Sequence, residues 1–230
     1  MGKGISGILQ ERHPNLTEAQ LAQFQQYHQI LVEVNQVMNL TAITEEDEVA
    51  VKHFADSLTL LPYLERFEVK SLADIGTGAG FPGIPLKIAC PELTVTLIDS
   101  LEKRVGFLNR VIESLGLTGI CAVHARAEDA GRDPKLRSQF DMAVARAVAP
   151  MNILAEYCLP FVKAGGHFVA MKGPAEESYD RALSILGGKK ISDDLFTLED
   201  MQRRVICVKM EKNISTQYPR KAGIPKKKPL

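Results

Sequence analysis

The stretch from Asp74 to Gly83, DIGTGAGFPG, has the glycine content of a ligand-binding loop. Glycine lets the backbone approach a ligand at distances where side chains would collide. A short apolar segment precedes the loop and a helix-forming segment follows it, and strand–loop–helix units of this kind bind ligands above the carboxyl ends of the strands. The sequence therefore predicts a ligand site at the four loop glycines, Gly76, Gly78, Gly80 and Gly83.

The acid at the start of this loop separates two classes of ligand. Gly78, Gly80 and Gly83 match the dinucleotide fingerprint GxGxxG, but three fixed positions make a weak match. Asp74, predicted to point toward the pocket mouth, would repel a pyrophosphate and would attract the ammonium and sulfonium groups of S-adenosylmethionine. The alternative is that Asp74 only caps the turn. The loop thus favours S-adenosylmethionine over NAD, and an NAD-dependent oxidoreductase is the rival function.

Two further acids follow the next two predicted strands. Asp99 ends the second strand, where a carboxylate can accept hydrogen bonds from ribose hydroxyls, although it could also cap the following helix. Ala127 and Glu128 follow the third strand, where a backbone amide and a carboxylate can meet an adenine edge; Glu128 could equally cap a helix. Three acids at three successive strand ends predict a nucleoside ligand.

Cationic side chains also end predicted strands. Arg126 and Arg146 follow the third and fourth strands, and a guanidinium there could bind guanine O6 or a phosphate. For Arg126 an ion pair with a nearby carboxylate such as Glu128 is an equal alternative. Small alanines surround Arg146 and leave space for a bulky base, which favours a functional role. Lys172, at the end of the fifth strand, is a weaker candidate of the same type.

The elements that would position these residues divide the chain into a helical part and an α/β part. Residues 17–38 carry apolar residues at helical spacing, and Thr17 with Gln20 forms a capping-box pattern. No strand is expected before residue 70. Strands then alternate with helices, which predicts a mainly parallel sheet covered on both faces. The predicted strands are 71–76, 94–100, 120–125, 140–147 and 165–173, with 191–198 and 203–210 as a closing antiparallel pair.

Helices are predicted between and around these strands. One or two are expected in the segment 45–64, and a further helix begins directly after the glycine loop. The other predicted helices are 102–115, 151–162 and 175–186.

Composition narrows the function classes further. No segment is long and apolar enough for a membrane helix, and the N-terminus does not match a secretory signal. The cysteines form no CxxC pair, so we expect reduced, buried thiols and no zinc site. His53 and Asp56 lie one helical turn apart, and we expect a hydrogen bond on a helix surface rather than half of a metal site. The four cysteines are Cys90, Cys121, Cys158 and Cys207.

The end of the chain is basic although the formal net charge is zero. No acid follows Glu211. The spacing of prolines and glycine, Tyr218 and five cations favour docking along RNA phosphates. A solvated, disordered end is the alternative. The predicted RNA-binding residues are Arg220, Lys221, Lys226, Lys227 and Lys228.

Several longer motifs make the chain resemble one family. It is similar to the bacterial 16S ribosomal RNA guanine-N7 methyltransferases, the glucose-inhibited division protein B family. The loop continued by FPGIPL and the terminus PRKAGIPKKKPL are the most specific features. The motifs are MNLTAI (38–43), KHFADSL (52–58), DIGTGAGFPGIPL (74–86), ARAVAP (145–150), MKG (171–173) and YPRKAGIPKKKPL (218–230).

The resemblance implies a class I, Rossmann-like methyltransferase fold with a seven-stranded, mostly parallel sheet. It divides the chain into a helical extension (1–70), a catalytic core (71–212) and a basic tail (213–230). The implied cofactor is S-adenosylmethionine, and the implied acceptor is N7 of a guanine in 16S rRNA within the 30S subunit. A cytoplasmic monomer without metal or membrane contact is expected. A ribosome- or RNA-binding protein without catalytic activity is a second alternative.

The resemblance also assigns the site residues. Gly76 and Phe81 would line the methionine end of the cofactor, and Asp99, Ser100 and Leu101 would reach the ribose. Ala127 and Glu128 would contact the adenine, and Arg146 would lie at the mouth of the active site. N7 of guanine carries a lone pair and no proton, so positioning replaces a general base. Arg146 and Arg126 are therefore the predicted catalytic residues, and Asp74 and Gly78 complete the predicted cofactor site.

Overall fold

The computed structural model describes residues 2–230, which begin with a helical region. Helix α2 covers the predicted stretch, and its capping box of Thr17 and Gln20 is formed. Helix α1 was not predicted from the sequence. The elements are α1 (Gly4–Arg12), α2 (Glu18–Met38), α3 (Glu46–Val49), a π-helical segment (Ala50–Ala55), α4 (Asp56–Leu58) and α5 (Leu61–Arg66).

Seven strands form one sheet in the order β3-β2-β1-β4-β5-β7-β6, which confirms the predicted mostly parallel α/β fold. The neighbours from β3 to β5 are parallel, whereas β7 pairs antiparallel with both β5 and β6. The carboxyl ends of the parallel strands therefore share one edge. The strands are β1 (Ser71–Ile75), β2 (Thr94–Asp99), β3 (Ile120–His124), β4 (Phe140–Arg146), β5 (Val162–Lys172), β6 (Gly188–Leu198) and β7 (Met201–Met210).

Helices cover both faces of the sheet. Helix α2 contacts α6 and α7 on one face, so the N-terminal helices share a hydrophobic core with the sheet. A second core lies on the other face, under α9 and α10. The helices after β1 are α6 (Gly83–Ala89), α7 (Glu102–Ser114), α8 (Ala127–Ala130), α9 (Met151–Cys158), α10 (Asp180–Leu186) and α11 (Ile224–Lys227).

Two helices are shorter than predicted. Helix α9 ends at Cys158 and continues as a 3-10 turn, because Pro160 has no backbone N–H to donate. Helix α10 begins only at Asp180. The residues before it form a loop in which Glu177 accepts from the backbone N–H of Met151 and pairs with Lys172.

The cysteines differ from the prediction of uniformly buried thiols. Cys158 and Cys207 are buried and Cys90 is half-buried, but Cys121 is exposed. Cys121 lies on β3, and an edge strand is covered less than a central one. Among residues 2–230 no helix is long and apolar enough to cross a membrane, and no cluster of three metal-ligating side chains occurs.

The C-terminal segment, residues 213–230, packs against the sheet domain. The guanidinium of Arg137 donates to the backbone carbonyls of Ile214, Ser215 and Tyr218. Arg132 donates to the carbonyl of Pro219. These bonds hold the segment in a defined path, which contradicts the alternative of a disordered end.

Candidate active site

The glycine loop between β1 and α6 needs its glycines for two physical reasons. Gly76, Gly78 and Gly80 have φ values of 68°, 63° and 97°, a region that side-chain-bearing residues rarely adopt. A Cβ atom on Gly76 would also lie 2.8 Å from a methyl group of Val148. The loop can therefore present bare backbone to a ligand above β1.

Asp74 lies beneath this loop and is fully buried. Its Oδ2 accepts from the Thr77 hydroxyl at 2.6 Å and from the Gly83 backbone N–H at 2.8 Å, while Oδ1 has no hydrogen-bond partner among residues 2–230. Burial raises the pKa of Asp74 to about 6. The contacts of Oδ2 are those of the turn-capping alternative, and a contact of Asp74 with the cofactor stays a prediction.

A cavity of about 430 Å³ opens at the carboxyl ends of β1, β2 and β3. Its volume falls within the usual range for small-molecule sites. We call it the first cavity. It brings together half of the predicted cofactor residues together with Arg126. The predicted residues that line it are Gly76, Asp99, Ser100, Arg126, Ala127 and Glu128.

Asp99 makes two backbone hydrogen bonds at the carboxyl end of β2, and the predicted capping alternative is wrong, because Leu101 occupies the N-cap position of α7. Its Oδ1 accepts from the Leu101 backbone N–H at 2.9 Å, in the turn just before α7. Its Oδ2 accepts from the Gly78 backbone N–H at 3.0 Å, which ties β2 to the glycine loop. The side chain is buried and still lines the first cavity. Asp99 therefore fixes the loop and faces the ligand space.

The far end of the first cavity is closed by the C-terminal segment. Glu128, in the first turn of α8, accepts from the Gly223 backbone N–H at 2.8 Å. Gly223 and Lys226 both line the cavity, together with Tyr157. The predicted separate tail is thus part of the wall around the predicted adenine site.

Arg220 has a different role from the predicted RNA contact. Its Nη2 and Nε lie 2.6 and 2.9 Å from the carboxylate oxygens of Glu156, which is fully buried. A buried carboxylate is costly unless a cation pairs with it, so Arg220 is committed to this bond. The other four predicted cations are exposed and form no ion pair within residues 2–230; they are Lys221, Lys226, Lys227 and Lys228.

Arg146 lies beside a second cavity of about 290 Å³ rather than in the first. Its Nη1 donates to Asp56 Oδ2 at 2.9 Å and to the Lys52 carbonyl at 3.1 Å. Its guanidinium carbon lies 4.9 Å from the ring centre of Phe81. Ala147, the next residue, lines both cavities. The two cavities are therefore neighbours across the loop that follows β4.

Asp56 is the centre of a cluster that the sequence did not reveal. The side chain is 1% exposed, and Arg203 on β7 donates to it from Nε at 2.9 Å and from Nη2 at 3.3 Å. The predicted helix-surface hydrogen bond with His53 is wrong, because both residues are buried and Asp56 pairs with arginines from β4 and β7. The sequence signal that could have indicated a buried acid is the position of Asp56 inside the apolar run FADSLTLL.

His53 contacts both Phe81 and Arg146. Its ring stacks on Phe81 with centroids 4.6 Å apart, and its Nε2 lies 2.8 Å from the Thr41 hydroxyl. Burial, followed by the charge of Arg146, lowers the pKa of His53 to about 4. The imidazole is thus neutral at neutral pH and adds no further charge beside Arg146.

With this geometry established, comparison with known proteins identifies the family. A sequence model of the GidB family, described as rRNA small subunit methyltransferase G, matches residues 20–186. The chain belongs to this family.

Curated relatives match over nearly the whole chain. The ribosomal RNA small subunit methyltransferase G of Acetivibrio thermocellus is 53% identical, over 94% of this chain and 91% of the relative. The protein of the same name from Leuconostoc mesenteroides is 50% identical, over 94% and 93%. The alignments include residues outside the glycine loop, so the whole chain carries the family likeness.

Solved structures share the fold at low sequence identity. A mutant of MtNAS in complex with S-adenosylmethionine has a TM-score of 0.57 at 14% identity, covering 90% of this chain and 77% of that one. TrmN from Thermus thermophilus has a TM-score of 0.50 at 15% identity, covering 70% and 53%. These similarities support the class I methyltransferase fold.

The structure separates the predicted site residues into three groups. One group lines the first cavity, and another, Asp74 and Gly78, builds the loop from behind. The third group lies elsewhere. Phe81 supports His53 and Arg146, Leu101 is 42% exposed, and Arg146 faces the second cavity.

Proposed function

We propose that this protein transfers a methyl group from S-adenosylmethionine to N7 of a guanine in 16S rRNA of the small ribosomal subunit. The observation that carries the proposal is the pair of adjoining cavities that share Ala147. One has the carboxylates and bare backbone that suit a nucleoside, and the other has arginines that suit a base. Membership of the rRNA small subunit methyltransferase G family supports the substrate class.

The residues of the first cavity fit the groups of the cofactor. Asp99 would accept hydrogen bonds from the ribose hydroxyls, and Ala127 and Glu128 would adjoin the adenine. Gly76, without a Cβ, would allow the methionine portion to approach the backbone. When bound, S-adenosylmethionine supplies an electrophilic methyl group on a positively charged sulfur.

Transfer to N7 asks little acid–base chemistry of the protein. The N7 lone pair forms the new bond to the methyl carbon, and the carbon–sulfur bond breaks with its electron pair going to sulfur. No proton has to leave, so the low pKa of His53 and the ion pairing of Asp56 are compatible with the reaction. The protein contributes placement and exclusion of water, which can lower a barrier by roughly 7–11 kcal/mol.

The RNA would be held by cations around the first cavity and the C-terminal segment. Arg126 lines the cavity, is exposed and forms no ion pair within residues 2–230. Together with Lys221, Lys226, Lys227 and Lys228 it makes a basic margin that suits phosphate oxygens. Arg220 is not part of this margin, because Glu156 occupies it.

Methyl transfer from tritiated S-adenosylmethionine to 30S subunits tests the proposal directly. The subunits are isolated from a strain that lacks this protein, and the product is identified by nuclease digestion and mass spectrometry. We expect 7-methylguanine at one site. Label on another base would contradict the acceptor atom. Absence of label, or saturable NAD binding without S-adenosylmethionine binding, would contradict the activity.

A further inference from the structure

The cluster of Asp56, Arg146 and Arg203 lines part of the second cavity, and the reaction described above gives Asp56 and Arg203 no role. Asp56 is 1% exposed, Arg146 is 15% exposed and Arg203 is 28% exposed. Both arginines line the cavity. Resting on the proposed function, we propose that this cavity receives the acceptor guanine, that Arg203 binds its O6, and that Asp56 is the positioning residue for both arginines.

The charge of the second cavity favours a ligand edge rich in acceptors. One carboxylate, Asp56, serves two guanidiniums, which leaves one positive charge in excess. Lys172 adds nothing to this excess, because Glu177 pairs with it at 2.7 Å. Lys52 pairs with Glu48 in the same way. The uncompensated charge therefore belongs to the arginine pair.

The donor groups of Arg203 fit this role better than those of Arg146. Arg146 uses Nη1 for Asp56 and the Lys52 carbonyl, and its Nη2 lies 3.3 Å from His53 Nδ1. Arg203 uses Nε and Nη2 for Asp56, which leaves its Nη1 without a protein partner within residues 2–230. A free guanidinium N–H at a cavity wall can donate to a ligand.

Guanine is the base whose edge matches these donors. Its major-groove edge carries only acceptors, N7 and O6, whereas adenine places an amino donor beside N7. A donor aimed at N7 itself would occupy the lone pair that must attack the methyl group. A bond from Arg203 to O6 instead holds the base by the neighbouring atom and leaves N7 free. The cavity thereby selects guanine without a general base.

Asp56 acts through the arginines and not on the base. Two oxygens fixed by two guanidiniums define the plane and the direction of both side chains. Since Asp56 is buried in the segment that follows the N-terminal helices and Arg203 lies on β7, the bond also aligns two distant parts of the chain. Loss of this carboxylate should displace Arg203 from the cavity.

The experiment compares target bases in reconstituted 30S subunits. The target guanine is replaced by 2-aminopurine, which lacks O6 and keeps N7, or by hypoxanthine, which keeps both and lacks the 2-amino group. For the wild-type protein we expect 2-aminopurine to lower kcat/KM by roughly ten- to hundredfold, as for loss of a hydrogen bond to a charged group. Hypoxanthine should cost much less.

The decisive measurement repeats this comparison with Arg203→Gln and Asp56→Asn. Both variants should lower kcat/KM on the guanine substrate, and the extra cost of 2-aminopurine should vanish. S-adenosylmethionine affinity should stay within about twofold of wild type, because neither residue lines the first cavity. Arg204→Gln is the matched control, since the neighbouring arginine pairs with Asp193 and should keep the full 2-aminopurine cost.

The outcomes separate this inference from the proposed function. If the wild type does not methylate guanine-containing subunits, the proposed function fails. If the wild type is active and Arg203→Gln retains the same 2-aminopurine cost, the acceptor assignment fails while the function stands. Loss of cofactor affinity in a folded Arg203→Gln protein would also overturn it, because the residue would then act on the first cavity. Thermal unfolding identifies variants that are not folded. The 2-aminopurine comparison is then made with Arg203→Lys in their place.

Discussion

The two cavities meet at Ala147 but are built in different ways. The first is formed mainly by short segments that directly follow β1, β2 and β3, so most of its wall residues lie next to a recognisable strand, and the C-terminal segment adds Gly223 and Lys226. The second draws on the π-helical segment, β4, β5 and β7, which are far apart in the sequence. A site at strand ends follows from local pattern, whereas a site held by long-range ion pairs does not.

Among substitutions confined to the first cavity, we expect Asp99→Ala to have the largest effect on cofactor affinity. Asp99→Ala removes the carboxylate that faces the ligand and holds the Gly78 N–H. We expect S-adenosylmethionine to bind roughly a hundredfold more weakly, from two hydrogen bonds to a charged group at ~1.5 kcal/mol each. Isothermal titration calorimetry measures the dissociation constant.

RNA affinity is the internal comparison for this variant. RNA affinity should stay close to wild type in filter binding, because the substitution removes neither a cation of the basic margin nor an arginine of the second cavity. Asp129→Ala, which removes an exposed acid near the same cavity, is the matched control and should leave both affinities unchanged. A dissociation constant for Asp99→Ala within threefold of wild type would mean that Asp99 only holds the Gly78 and Leu101 backbone and does not contact the cofactor.

Substitutions in the C-terminal segment should have intermediate effects. A change at Arg220, which pairs with a buried acid, and a change at the exposed Lys227 should alter different properties. Arg220→Gln leaves the buried Glu156 without its cation, and breaking such a pair costs about 3 kcal/mol of folding free energy. As the segment loosens, Gly223 leaves Glu128 and we expect roughly tenfold weaker cofactor binding, equivalent to about 1.4 kcal/mol. Urea unfolding and calorimetry measure the two quantities.

Lys227→Gln is the counterpart on the exposed side. Cofactor affinity should not change, because Lys227 does not line the first cavity. The slope of log RNA affinity against log salt should fall by about 0.7 to 0.9 for one lost phosphate contact. An unchanged slope would remove Lys227 from the RNA margin, and unchanged cofactor binding in Arg220→Gln would show that the segment does not close the cavity.

The smallest effect concerns the pH dependence of stability. The contributions of Asp74, beneath the glycine loop, and of His53, at the second cavity, should change with pH in opposite directions. The pKa of Asp74 is raised to about 6 in the folded protein, so its contribution to stability is lost as the pH rises from about 4 to 6. The pKa of His53 is lowered to about 4, so the unfolded chain takes up a proton first and stability is lost as the pH falls from about 6.5 to 4.

Two variants should reveal these opposing contributions in urea unfolding between pH 4 and 7. Relative to wild type, Asp74→Asn should lose more stability on acidification, because only the His53 contribution remains. His53→Gln should lose less. Curves that run parallel to wild type for both variants would contradict both pKa shifts.

Most of the fold could be predicted from sequence because its signals are local. The apolar spacing and capping box of α2 and the alternation of strands and helices each lie within one short segment. The position of β7 between β5 and β6 could not be predicted, because sequence periodicity does not show which strands pair. The sequence suggested an antiparallel pair but not which member joins the sheet.

The unpredicted parts of the site depend on contacts across the chain. The role of Asp56 follows from Arg146 and Arg203, which lie 90 and 147 positions away. Arg220 looked like any other cation of a basic run until Glu156 was found beneath it. A charge run predicts a solvated surface by composition, and only the fold shows which of its members has a buried partner.

The bond between Glu128 and Gly223 also means that the cofactor cavity is completed only when the C-terminal segment docks on the sheet domain. Synthesis runs from the N-terminus, so the strands that carry Asp99 and Glu128 leave the ribosome well before residues 213–230. The wall that Gly223 and Lys226 provide therefore arrives after these strands. A chain in which only the strands have folded therefore has an open cofactor cavity, and docking of Gly223 on Glu128 completes it.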